Sequence, residues 1–194
     1  ILDEAGSLQD RDATELIVWA KEKDILKAAI GLATINAVIN SEASGWVESN
    51  VIEAVNLLPS ETLGMVGEFP PILNKVRKQT DHIYVFEKNL DKGENLYPDI
   101  MIPELLPGCD VVVVTATTLI NHSIDQVLSY AVNAREIALV GPSTPLCSGI
   151  FNKYKVTLLA GSIVKDTDLL LKIVSQGGGT MSMKPALKHV IMHI

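Results

Sequence analysis

Glu136-Ile137-Ala138-Leu139-Val140-Gly141-Pro142-Ser143-Thr144-Pro145-Leu146 decides the fold of this chain. A short aliphatic run that ends abruptly in Gly, Pro, Ser and Thr reads as a buried parallel strand opening into a loop. Leu158-Leu159-Ala160-Gly161-Ser162 repeats the junction. In open α/β sheets, loops at the carboxyl ends of the strands form the ligand crevice.

Working outward, the same grammar begins near Pro59. Thr62 to Val66 reads as a first strand, followed by Gly67 and a helix from Pro71 to Lys78. His82 to Phe86, Asp110 to Val114, Ile137 to Val140 and Val156 to Leu159 read as four more strands. Helices are expected over Ile124 to Ala134 and Thr167 to Val174. Between Glu87 and Pro103, residues Gly93, Pro98 and Pro103 mark a polar surface connection, with a short helix near Glu104-Leu105-Leu106. This β-α-β alternation implies a Rossmann-like α/β fold: a parallel sheet with helices on both faces and right-handed crossovers.

Upstream, Asp12-Ala13-Thr14-Glu15 has the pattern of a helix start with a capping Asp. Ile25 to Ile39 is a helix apolar nearly all round, which predicts burial on several sides. Gly31 among small alanines predicts close packing against another backbone. The chain opens at Ile1, and Ile1 to Gln9 lacks a signal-peptide pattern, so preceding residues are expected to be missing.

Composition narrows the function classes. With 194 residues, 47% apolar and 5% aromatic, the chain can bury a good core dominated by Val, Ile, Leu and Ala. A net charge of −7 without a basic stripe argues against nucleic acid as a partner. No apolar run reaches the roughly 20 residues of a membrane span. Cys109 and Cys147 are far apart and form no CxxC pair, which suits a reducing cytoplasm.

If the strands run parallel, one rim collects Gly67 and Glu68, then Thr115, Thr117, Thr118 and Asn121. Gly141, Pro142, Ser143 and Thr144 follow, then Gly161 and Ser162, with Gly178 and Gly179 joining from the end of the last helix. Glycines let backbone approach a ligand, and hydroxyls add adaptable donors and acceptors. Ordinary readings stand beside these. Ser123-Ile124-Asp125-Gln126 fits a capping box, Gly177 fits a left-handed helix cap, and the threonines fit plain strand ends. Glu87 lies about 20 residues after Gly67, where an acid can hold a ribose, but G-x-G-x-x-G is absent. Cys147 and His122 are the candidate metal ligands, each close to one of the loops. His189 and His193 would chelate only if the tail were helical.

Five segments together resemble the prokaryotic DUF364 family, proposed to chelate heavy metals. They are Ala29 to Ala37, Thr115 to Asn121, Leu139 to Leu146, Leu159 to Ser162 and Gln176 to Thr180. The resemblance implies that residues 1–56 are part of an enolase N-terminal-like domain and 57–194 a Rossmann-like domain, with the site between them. Under it, Asn36 is either a core amide or a ligand contact. The chain departs from the family pattern at Ala116, where glycine is usual, and at Cys147-Ser148, where Ser and Pro are frequent.

The expected function is therefore binding of a small ligand or metal complex at the strand-end loops. The alternative is an enzyme acting on a nucleotide or amino-acid-like substrate in the same crevice. A transition metal or metal complex is the implied cofactor class. A cytoplasmic location, no membrane or nucleic-acid partner, and a homodimer complete the expectation.

Overall fold

A computed structural model describes residues 2–40, 46–49, 51–92 and 96–194. Gly93 of the polar connection and Ile1 lie outside the described residues. The chain begins with α1 (Ala13–Ile17), a 3-10 turn over Val18–Lys21, α2 (Ile25–Ile39) and α3 (Val51–Val55). Next come β1 (Leu63–Val66), α4 (Pro70–Val76), β2 (Ile83–Phe86), β3 (Leu96–Tyr97), α5 (Ile102–Leu105) and β4 (Val111–Thr115). Then follow α6 (Thr117–Ile120), α7 (Ile124–Tyr130), β5 (Glu136–Val140), α8 (Ser148–Phe151) and β6 (Leu158–Val164). The chain ends with α9 (Thr167–Ser175), α10 (Thr180–Met183) and β7 (Leu187–His193).

The seven strands form one sheet in the order β3-β2-β1-β4-β5-β6-β7. The first six run parallel, and β7 returns antiparallel along the whole of β6. Alternation of side chains divides the core between the two faces of the sheet. Val111 and Val113 join Leu63, Met65 and Val85 under α3 and α4. Val112 and Val114 join Phe86, Ile137 and Leu139 under α5 and α7. A strand buried on both faces must be a near-continuous aliphatic run, which is what Val111-Val112-Val113-Val114 supplies.

The helix starts follow local chemistry. Asp12 accepts from the Thr14 amide at 2.8 Å, and Asp24 accepts from the amides of Leu26 and Lys27 at the head of α2. Glu15 does not complete a capping box; it turns to Arg11 at 3.0 Å. Gly31 is where α2 meets the preceding 3-10 turn, and a Cβ there would fall on the backbone nitrogen of Ala20. The predicted close approach is thus between α2 and its own upstream turn.

Several expectations need correction. The helix Ile25–Ile39 buries one side, through Ala28, Gly31 and Leu32, while Ile25, Leu26 and Val38 are exposed. Among the described residues its main neighbours are α1, the 3-10 turn and α6. The connection after Glu87 holds a strand, β3, paired with Val85 and Phe86. Helix α7 stops at Tyr130 rather than Ala134. The fifth strand does not end at Leu159: β6 runs through Gly161 and Ser162 to Val164, because β7 supplies a hydrogen-bonding partner for each residue. The tail is this strand β7, so His189 and His193 are four strand residues, about 13 Å, apart and cannot chelate as a helical pair. His189 instead faces Ser162, with Nδ1 3.0 Å from Oγ.

Candidate functional site

The order of the strands creates the site. From β1 the chain moves outward through β2 to β3, and from β4 it moves the other way through β5 and β6. The crossovers on either side of the β1–β4 pair therefore diverge, leaving a crevice above their carboxyl ends. A cleft of about 470 Å³ occupies that position, within the size range of small-molecule sites.

Three strand ends supply its polar parts. At the end of β1 the chain turns through Gly67 with φ +86°, and a Cβ there would lie 2.8 Å from Thr115 Cγ2. This left-handed turn brings Glu68 into the cleft wall. At the end of β2, Glu87 accepts the Glu68 amide at 3.2 Å and the Lys88 amide at 3.0 Å. Its carboxylate thereby ties the two loops together as it lines the cleft. At the end of β4, the Thr115 and Thr117 hydroxyls lie 3.0 Å apart, and Thr118 is buried with its hydroxyl donating to Thr115 O at 2.6 Å. Asn121 Oδ1 accepts from the amide and hydroxyl of Ser123. The expected capping box is absent: Ser123 makes no capping bond to α7, bonds Asn121 instead, and lines the cleft.

Of the residues expected at the rim, the structure brings together Gly67, Glu68, Glu87, Thr115, Thr117, Thr118 and Asn121. The others lie elsewhere. Gly141, Pro142 and Ser143 form the turn after β5, and Thr144 is fully buried, its carbonyl accepting from Asn40 Nδ2 at 2.9 Å. Gly161 and Ser162 are inside β6. After α9, the Gly177 amide bonds Val174 O and the Gly178 amide bonds Ile173 O, the paired bonds of a Schellman cap. Gly179 then starts α10.

Neither metal candidate is among the residues that line the cleft. Cys147 lines a second, apolar groove with Leu32, Ile35, Leu128 and Phe151. His122, at φ +58°, holds the Glu22 carbonyl at 2.8 Å through Nε2. Among the described residues, no three His, Cys, Asp or Glu side chains are grouped so as to hold a metal ion.

Sequence reasoning missed one wall. Asp99, Ile100, Ile102 and Pro103 line the cleft from the connection after β3, and Gln126 and Tyr130 line it from α7. Reading the β3 connection as a surface loop hid the first group. The second group follows the Thr-rich loop directly, so a helix leaving the rim was the available signal.

The chain belongs to the DUF364 family: the family model, described as "Putative heavy-metal chelation", matches residues 50–193. A second model with the same description, DUF4213, matches residues 2–39. An uncharacterised protein of Methanocaldococcus jannaschii is 30% identical over 191 residues, covering 95% of this chain and 73% of that protein. A DUF364 protein of unknown function from Pyrococcus horikoshii shares the fold with a TM-score of 0.87 at 23% identity, over 100% of this chain and 80% of its own. A DUF364 protein from Desulfitobacterium hafniense gives 0.82 at 27% identity, over 94% and 74%. Among the described residues no helix is long and apolar enough to cross a membrane.

Proposed function

We propose that the protein binds a small metal complex, a cation already wrapped by an organic chelator, in the cleft above β1 and β4. One observation carries this reading: Glu68, Glu87, Asp99 and Thr117 all line the cleft, and among the described residues Lys88 is the one cationic side chain in its wall. This excess of carboxylates among the described residues favours a positively charged occupant and disfavours a free phosphate. A bare heavy-metal ion does not fit, because a protein-held site needs about three or four close ligands and no such group exists among the described residues. A metal that arrives with its coordination sphere largely filled needs only outer contacts: carboxylates for charge and hydroxyls for orientation.

Cys147 and His122 have no contact with that occupant in this reading. A nucleotide-like or amino-acid-like substrate is the competing occupant of the same cleft, with Glu87 holding a hydroxyl or amine. The fixed Glu87 carboxylate would suit it, while the acidic rim opposes its phosphates.

Native mass spectrometry and titration calorimetry separate these. Untagged protein is titrated with Ni²⁺, with a cationic Ni²⁺ chelate and with AMP. Saturable binding of the chelate alone, weakened in Thr117→Ala and Glu68→Gln but unchanged in Ser143→Ala, is the expected result. Tight binding of free Ni²⁺, or of AMP alone, would overturn it.

A further inference from the structure

The cleft has a second character that its charges do not explain. Ile100 is 82% exposed, the highest value among the exposed large apolar side chains of the described residues, and it lines the cleft. A hydrogen-bonded turn holds it there. Asp99–Met101 form a 3-10 turn after Pro98, closed by a 2.9 Å bond from the Met101 amide to Pro98 O. The turn runs directly into α5, where Ile102 is 6% exposed and anchored in the core. Pro98 and Pro103 bracket the turn and restrict its backbone. A stiffly presented aliphatic side chain loses little freedom when something covers it, so its burial is available to binding.

The interior continues the theme. Val66, Phe86, Ile102 and Val127 line the same cleft from buried positions, and half-buried Phe69 and Tyr130 add aromatic surface. Carboxylates and hydroxyls thus share the cleft with a substantial apolar wall. A compact hydrated cation or a polycarboxylate chelate would leave Ile100 and the accessible parts of Phe69 and Tyr130 uncovered.

We infer that the occupant carries a flat apolar body, an aromatic chelate rather than a small hydrophilic one, seated against Ile100, Phe69 and Tyr130. The inference rests on the proposed binding of a metal complex in this cleft and names the chemical class of its organic part. Charge is satisfied by Glu68, Glu87 and Asp99, and size and shape by the apolar wall.

The test compares two Ni²⁺ chelates of equal charge, one with 1,10-phenanthroline and one with ethylenediamine, by calorimetry on the wild type, Ile100→Ser and Ile100→Val. Phenanthroline alone is the metal-free arm. Because Ile100 is exposed, Ile100→Ser is expected to keep the wild-type melting temperature. The wild type should prefer the phenanthroline chelate by at least about 10-fold, consistent with burial of one large apolar side chain. Ile100→Ser should erase most of that preference, and Ile100→Val should retain much of it.

Equal affinity for the two chelates, unchanged by Ile100→Ser, would overturn the inference and leave chelate binding standing. Binding of metal-free phenanthroline as tight as its chelate, and sensitive to Ile100→Ser, would support the apolar body and overturn the metal. Binding of none of the three would overturn both.

Discussion

Asn40, the C-cap of α2, donates through Nδ2 to the Thr144 carbonyl at 2.9 Å, across 104 positions of sequence. Its Oδ1 accepts the Leu146 amide at 2.8 Å, so one amide side chain completes the backbone of the turn after β5. Asn40 is 7% exposed, Thr144 is fully buried, and water cannot substitute freely at either bond.

Asn40→Ala should therefore destabilise the protein by about 2–4 kcal/mol, since it leaves a buried carbonyl and a buried amide unpaired. Differential scanning calorimetry should show a fall in Tm of about 5–15 °C. A loss within error of zero would mean that the loop repacks without the amide.

Gly67→Ala tests the turn that opens the cleft. The new methyl must adopt a left-handed backbone and meet Thr115 Cγ2 at 2.8 Å. Together these cost about 2–4 kcal/mol. Denaturant unfolding should show that loss, and Thr115→Ser in the same chain should restore part of it by removing the opposing methyl. No rescue would place the strain in the backbone alone.

Acid sensitivity should trace to Glu61. Its carboxylate accepts Arg135 Nε at 2.6 Å and the Leu58 amide at 2.8 Å. The Arg135 bonds, first, and the Leu58 amide hold its carboxyl below the ordinary range against the opposing effect of burial. A depressed folded value means that this stabilisation is fully present above the unfolded pKa, about 4.3, and is lost as pH falls through the folded value. Urea midpoints for the wild type and Glu61→Gln should differ most near neutral pH and converge on acidification. A gap independent of pH would contradict the assignment.

The two cysteines should behave differently. Burial, with a smaller contribution from Asp110, pushes the Cys109 thiol up to about 12, and its side chain is enclosed beside Gly64. Cys147 is half-buried in the apolar groove. At pH 8 a thiol reagent should titrate one group per native chain and two in guanidinium. Two fast-reacting thiols in the native protein would refute the burial of Cys109.

The sheet was legible because a strand covered on both faces must be aliphatic throughout, and Val111–Val114 and Ile137–Val140 carry that requirement in their composition. The strand ends were legible in part: Gly67, Thr115 and Thr117 follow directly from where those runs stop. β7 was not, because Leu187–His193 shows no regular alternation of apolar and polar residues and becomes a strand by pairing with β6.

The local sequence also determined the Asp12 and Asp24 caps and the close approach at Gly31, since each involves groups a few residues apart. Only the tertiary structure decided which loops share a cleft. Gly67 and Thr115 meet because β1 and β4 are neighbours, whereas the Gly141–Thr144 turn, with the same chemistry, is taken up by Asn40. Strand order and a contact across 104 positions depend on global packing. Neither leaves a mark in the few residues on either side of a loop.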